Sequence, residues 1–281
     1  MTVLIKYPKQ TSQRNKEFFK RKDNELTNLD WAKWAGWFDT DGSFSSTFSK
    51  TKKDWQIAVS MKLKDRYPVE LFSKIFESSL CYDEFKTITP EPYRKEYMAQ
   101  VYKSVLTSRK AIWFTKNVFP YLIKEEKKDY AAKLLGYRPE SKDFEDWTPN
   151  EVTYYLGTAI DGDGSVHIHP PSKRGFKCIR IDIVSSDPQY LANIVAISAN
   201  KLNLVSSFKK FAEHKTERGI VDKYRLSIYG SRINLSNFTF FKSLLKYNVM
   251  TLDRKKKKIQ EFVTCINSKG EKGHTQESRV L

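Results

Sequence analysis

Histidine, cysteine and long apolar runs are scarce in this chain. Of its 281 residues only four are histidine and three are cysteine. Cys81, Cys178 and Cys265 are odd in number, widely spaced and form no Cys-x-x-Cys pair. That pattern argues against a disulfide framework or a zinc site and for a reducing, intracellular setting. No apolar run is long enough to cross a bilayer, so no membrane partner is expected, and the basic stretch after the first few residues lacks the apolar core of a secretory signal. A phosphate-binding Walker loop, a Gly-x-Ser-x-Gly elbow and a zinc-nuclease cluster are also absent.

What the chain does have is positive charge. Fifty Lys and Arg stand against 33 Asp and Glu, a net charge of +17, while 40% of residues are apolar and 14% aromatic. The apolar share is enough for a core, and the 30% charged share is too low for a disordered polyelectrolyte. A field of this sign attracts polyanions, of which nucleic acid is the commonest. A membrane surface is the weaker reading, because the basic residues are spread through strand-like stretches.

The length permits one large domain or two moderate ones, and a repeat decides between them. Leu29 to Phe44 ends in Asp39-Thr-Asp41-Gly-Ser-Phe, and Thr153 to Val166 ends in Asp161-Gly-Asp163-Gly-Ser-Val. The two copies lie 163 − 41 = 122 residues apart, too far for a solenoid and suited to a duplicated domain. Each is preceded by a helix-start signal. Thr148-Pro149-Asn150-Glu151 is a capping box with proline at the first helical position, and Thr27-Asn28-Leu29-Asp30 offers the same chemistry with aspartate as the reciprocal acid.

Strand-like alternation follows in both copies. Trp55, Ile57, Val59, Met61 and Leu63 interleave with Gln56, Ala58, Ser60, Lys62 and Lys64; Ile179, Ile181 and Ile183 interleave with Arg180, Asp182 and Val184. Helices are predicted over Pro68–Leu80 and Pro188–Leu202, strands near Tyr97–Ser104 and Lys223–Tyr229, and helical closing regions over Ser108–Leu135 and Ser231–Cys265. The fold class is α+β, with αββαββα given twice. Residues 1–25 read as a basic, disordered arm, 26–135 as the first half, 136–147 as the linker, 148–266 as the second half and 267–281 as a polar tail.

One face of the strand near Tyr229 carries Lys223, Arg225, Ser227 and Tyr229, and the other Tyr224, Leu226 and Ile228. Such a sheet packs on helices with one face and can track phosphates and read base edges with the other. An ordinary solvated face is the competing reading of any one such strand. On the same reasoning Ser45, Thr47, Gln56, Ser60, Lys62, Lys64 and Lys103 are candidate DNA contacts in the first half. His167, His169, Arg180 and Lys209 join the four residues above in the second. His167 and His169 alone make a poor metal site. The run Arg254–Lys258 is a candidate phosphate contact, with a nuclear address as its alternative.

The repeated element, Trp34-Ala-Gly-Trp-Phe-Asp-Thr-Asp41-Gly and Leu156-Gly-Thr-Ala-Ile-Asp-Gly-Asp163-Gly, resembles the LAGLIDADG motif of homing endonucleases and related intron maturases. The resemblance spans nearly the whole chain. It implies paired motif helices at the molecular centre under a saddle of antiparallel sheets. Asp41 and Asp163 would be the metal-binding acids, holding Mg2+ or Mn2+, with Asp39 and Asp161 in structural roles. It further implies site-specific double-strand cleavage of a long DNA site by a monomer, encoded within an intron or intein of an organelle, bacterium or phage.

Residue logic agrees. Ala35 and Gly36, with Gly157 and Ala159, would let two helix backbones approach, and Gly42 and Gly164 would let each helix end sharply. Trp34 and Trp37, larger than the usual aliphatics, are expected in the core. Thr158 stands where a small glycine is usual, and a looser or shifted helix contact is expected there. For the water-holding residue, equal offsets pair Ser60 with Asp182, neither the usual glutamine; Asp182 would hold the water or support a group that does, and Ser60 is the weaker candidate. For the phosphate-supporting lysine, Lys124 and Arg254 are the candidates, so unequal sites and unequal strand cleavage are expected. Two alternatives stay open: an intron RNA maturase on the same scaffold, and a DNA-binding regulator that has lost cutting.

Overall fold

A computed structural model describes residues 13–49, 54–88, 96–170, 178–216, 219–231 and 234–274. The chain forms two compact units. The first comprises residues 1–31 and 38–141, the second residues 32–37 and 142–281. The boundary near residue 141 falls inside the stretch read as a linker, where a short 3-10 turn, Phe144–Asp146, is the sole regular element among the described residues.

In the first unit, α1 (Gln13–Glu25) leads to the motif helix α2 (Asn28–Thr40). Then come β1 (Gly42–Ser49), β2 (Asp54–Leu63), α3 (Arg66–Phe76), β3 (Ser79–Ile88), β4 (Glu96–Thr107), α4 (Ser108–Val118) and α5 (Glu125–Leu135). The second unit runs α6 (Pro149–Asp163), β5 (Gly164–His169), β6 (Cys178–Ser185), α7 (Pro188–Leu202), β7 (Ser206–Thr216), β8 (Gly219–Gly230), α8 (Leu235–Lys246) and α9 (Asp253–His274). Each unit holds one antiparallel four-stranded sheet, ordered β1-β2-β4-β3 and β5-β6-β8-β7. The αββαββα plan is thus present twice, its last helical region being a helix pair.

Both expected capping boxes form. The Thr148 side chain accepts from Glu151 N–H while Glu151 accepts from Thr148 N–H at 2.7 Å. Thr27 N–H donates to Asp30 at 2.9 Å, and Asp30 N–H to Thr27 Oγ1 at 3.4 Å. Burial of Glu151 on its own would raise its carboxyl, but the hydrogen bonds from Lys142 and Thr148 outweigh this and hold it below the ordinary carboxylate range.

The two cores are built differently. In the first, Phe38, Phe72, Phe76 and Phe114 interlock with ring centroids 4.7 to 5.7 Å apart, under Ile57, Val59 and Met61 of β2. In the second, aliphatic residues dominate: Ile179, Ile181 and Ile183 of β6 and Leu226 and Ile228 of β8 lie buried with Leu191 and Ile194.

Three expectations need correction. The arm read as disordered contains α1, which is amphipathic. Its Phe18 and Phe19 sit 5.6 Å from the Trp113 ring, and Trp113 Nε1 donates to Asp23 at 2.9 Å. Residues 1–12 lie outside those described. The helix read to Leu80 ends at Phe76, because Glu77 takes a left-handed cap (φ 49°) and β3 starts two residues later. The region read as a tail begins as helix, since α9 continues to His274; residues 275–281 lie outside those described.

Candidate functional site

Each motif helix ends at the first strand of its sheet, and a buried aspartate fixes that end. Asp39, fully buried, accepts the backbone N–H of Ile123 at 2.7 Å and of Lys124 at 3.3 Å, at the start of α5. Asp161, 1% exposed, does the same at the start of α9: Leu252 N–H lies at 3.2 Å, Thr251 Oγ1 at 3.0 Å, and Thr251 N–H also donates. Burial pushes the Asp161 carboxyl above its ordinary range, against the pull of the Thr251 and Leu252 N–H groups and of Lys255. The first acid of each motif is therefore a brace between helices. It leaves the second, Asp41 or Asp163, half-buried at the helix end beside the strand.

Lysines complete the brace. Lys124 Nζ donates to Asp39 O at 3.2 Å and Lys127 Nζ to Gly42 O at 2.5 Å. In the second unit Lys255, 4% exposed, donates to Ile160 O at 2.7 Å, to Asp161 O, and to Gly162 O at 3.5 Å, and Lys258 Nζ donates to Val166 O of β5 at 2.9 Å. Arg254, the candidate for supporting the phosphate, is exposed in the first turn of α9 while its neighbour turns inward. Within a run of five basic residues the sequence does not say which one faces α6. Sequence reasoning passes over Lys255 for that reason; Lys127 stands outside any such run, and only the fold brings it to Gly42 O.

The motif glycines act differently from the expectation. Gly42 and Gly164 do not have positive φ. They are required because a Cβ at Gly42 would lie 2.3 Å from the Phe38 ring, and one at Gly164 2.5 Å from Ile160 O. Gly157 faces Val249 and Leu244 rather than α2. Within the second unit, which includes residues 32–37 of α2, the close approach is made at Gly36. A Cβ there would stand 2.3 Å from Thr158 Oγ1 and 2.4 Å from Tyr155 O. Thr158 does not loosen that contact: its hydroxyl donates to Lys33 O at 2.7 Å. Trp34 and Trp37 are 1% exposed, in the core as expected.

Strand register makes the two polar faces comparable position by position. Ser43 pairs with Ser60 as Ser165 pairs with Asp182, so the equal-offset equivalence of Ser60 and Asp182 holds in the sheets. Along the next strand Val105 answers Ser227, Lys103 answers Arg225 and Thr107 answers Tyr229, while Ala58 answers Arg180. The second face thus carries a connected polar group where the matching positions of the first hold Ser60, Val105, Ala58 and Ser45. Ser227 donates to Asp182 at 2.6 Å, Arg180 Nε lies 3.0 Å from Asp182, and His167 Nε2 lies 3.9 Å from it.

Asp182 and Ser227 are only 4% and 2% exposed. The Ser227 hydroxyl is engaged by Asp182, and Asp182 in turn pairs with Arg180, the placement of an acid that supports a neighbour rather than of one open to a water. Ser45, Lys62, Lys64, His167, Lys209 and Tyr229 are exposed. Ser60, Lys103, His169, Arg180, Lys223 and Arg225 are partly so. Thr47 and Gln56 pair across β1 and β2, and their side chains lie outside what is described. Among the described residues no group of three or more His, Cys, Asp or Glu could hold a metal on its own, and no helix is long and apolar enough to cross a membrane.

No family model and no curated protein matches the chain in sequence. Solved structures do match in fold. LAGLIDADG homing endonuclease I-GzeII, determined in complex with a DNA target, superposes with a TM-score of 0.54 at 13% identity, covering 89% of this chain and 92% of its own. LAGLIDADG meganuclease I-AabMI, bound to uncleaved DNA, gives 0.49 at 11% identity over 89% and 93% of the two chains. The homing endonuclease I-WcaI, bound to its recognition sequence, gives 0.43 at 13% over 90% and 94%. At such identities the I-GzeII likeness speaks for architecture, and the fold of this chain is that of a double-motif LAGLIDADG homing endonuclease.

Proposed function

We propose that the protein is a site-specific endonuclease that cuts both strands of a long double-stranded DNA site, Asp41 serving one strand and Asp163 the other. The observation that carries this reading is the repeated placement of an acid. In each unit one aspartate is locked into the fold, and the next sits at the helix end where a polar sheet face begins. The net charge of +17 supplies the attraction for phosphates. The DNA-bound state of I-GzeII, whose fold is shared, supports the same partner.

The donor set suits Mg2+ or Mn2+. Such ions take hard oxygen ligands and complete their shell with waters and substrate phosphates, so one or two carboxylates suffice. Asp41 and Asp163 would hold the ion, which supplies charge neutralisation at the phosphate and an activated water. The chain's own residues do the rest. Lys124, Lys127 and Lys255 fix the helix ends carrying the acids. Arg180, held by Asp182, offers a positioned cation for a phosphate in the second unit, where the first has only Ala58 and Ser60. Unequal cutting of the two strands follows, and the duplication lets the chain act as a monomer.

The test is cleavage of a plasmid library of candidate sites with Mg2+ or with EDTA, by wild type, Asp41→Asn and Asp163→Asn. Metal-dependent linearisation by wild type is expected, with each variant losing double-strand cutting but retaining DNA binding. Tight DNA binding by wild type without cutting of any site would favour a regulator; binding of intron RNA in its place would favour a maturase.

A further inference from the structure

Arg225 and Lys103 occupy equivalent positions, opposite Lys209 and Cys81 on the neighbouring strand, yet their surroundings differ. Two residues beyond Lys209 the pairing of β7 with β8 slips by one residue, between Lys210 and Ala212, and Phe211 is the unpaired residue of that bulge. Bulges redirect side chains locally. Here the Arg225 guanidinium lies over the Phe211 ring, 4.1 Å from its centroid, and Arg225 Nε is buried with no hydrogen-bond partner. Phe211 itself is 38% exposed, an aromatic ring left on a polar face. In the first unit the place of Phe211 is taken by Asp83, opposite Val101, so the equivalent position supplies no ring to Lys103.

These features make Arg225 more than a charge. A guanidinium stacked on a ring is confined to one plane, and its remaining edge is a rigid two-pronged donor. That edge matches the O6 and N7 acceptors of guanine in the major groove. A lysine serves a phosphate as a point charge and has no planar fork for an aromatic platform to orient. Arg225 is also on an inner strand of its sheet, away from the edges, where a face laid in a groove meets bases rather than backbone. We infer that Arg225, braced by Phe211, is a specificity-determining residue that reads one guanine of the DNA site, whereas Lys103 contacts a phosphate. This rests on the DNA-binding reading above.

The experiment is selection of bound sequences from randomised duplex DNA in EDTA, by wild type, Arg225→Gln, Phe211→Ala and Lys103→Gln. Salt titration of each on the wild-type consensus accompanies it, and circular dichroism verifies folding. A bidentate contact of this kind discriminates about 5- to 150-fold. Arg225→Gln is expected to lose most of that preference at a single G·C position, with the salt slope little changed. Phe211→Ala should relax the same position in part. Lys103→Gln should weaken all sequences alike and lower the salt slope by about one. If Arg225→Gln weakens all sequences equally and lowers the slope, or if Phe211→Ala leaves that position untouched, the inference is overturned. Failure of wild type to enrich any DNA sequence would overturn the DNA-binding reading along with it.

Discussion

Replacing Lys255 with methionine isolates one interaction at the end of a motif helix. Methionine preserves most of the stem's volume and removes the ammonium. Three carbonyl oxygens at the end of α6, those of Ile160, Asp161 and Gly162, then lose a donor in a site where Lys255 is 4% exposed. Hydrogen bonds from a charged donor contribute about 1.5–3 kcal/mol net. A cation at a helix C-terminus adds up to about 2 kcal/mol in partly buried geometry. Relief of the ammonium's own desolvation offsets part of this, so the expected loss is about 2–4 kcal/mol. At about 2 °C per kcal/mol for a chain of this size, the melting temperature should fall about 4–8 °C.

Lys124→Met, which removes the 3.2 Å contact to Asp39 O, should cost about 0.5–1.5 kcal/mol. Arg254→Met, at an exposed position, should stay within about 0.5 kcal/mol of wild type. Thermal and urea unfolding of the three variants measures the order. An Arg254 variant less stable than the Lys255 variant, or a Lys255 variant indistinguishable from wild type, would refute the assignment of Lys255 as the brace.

Two further perturbations probe other parts of the fold. Gly36→Ala forces a methyl within 2.4 Å of the Tyr155 carbonyl as well as within 2.3 Å of Thr158 Oγ1. It should destabilise by about 1–3 kcal/mol, and adding Thr158→Ala should not restore stability, because the backbone clash remains; full recovery would show that the hydroxyl alone sets the spacing. Glu151→Gln removes a carboxylate whose folded-state pKa is depressed. Its stabilising effect is present above the unfolded-state value and lost as pH falls through the folded one. The variant should melt lower at pH 7, by about 1–2 kcal/mol, and the gap should close in acid below the depressed value; a gap unchanged there would mean that charge is not the cause.

Much of the architecture was legible because it rests on local signals. The capping boxes are four-residue patterns, and the alternation in β2 and β6 fixes which face is buried through a period of two. The 122-residue offset of the duplication aligns Ser60 with Asp182, as the strand registers do. What escaped depends on contacts between distant segments. Ser227 stands on the polar face that alternation assigns it, yet Asp182 of the next strand engages it. Lys255 is set apart from its basic neighbours by the direction α9 takes past Asp161. The end of α3 turns on a glutamate in a left-handed conformation, where glycine or asparagine is the usual signal. Phe18 and Phe19 of α1 announce an apolar face only once Trp113 is known to receive it.

The unlike polar faces have a consequence for what a target can be. An assembly of two identical chains presents the same residues twice, so the sequence it prefers must repeat itself in reverse on the opposite strand. Here Lys103 and Arg225, Ala58 and Arg180, and Ser45 and His167 stand at matching positions with different chemistry. Fusion of the halves in one chain frees each to change its residues without altering the other. A DNA site read by such a pair need not be a palindrome, and a long unsymmetrical word is far rarer in a genome than a short mirrored one.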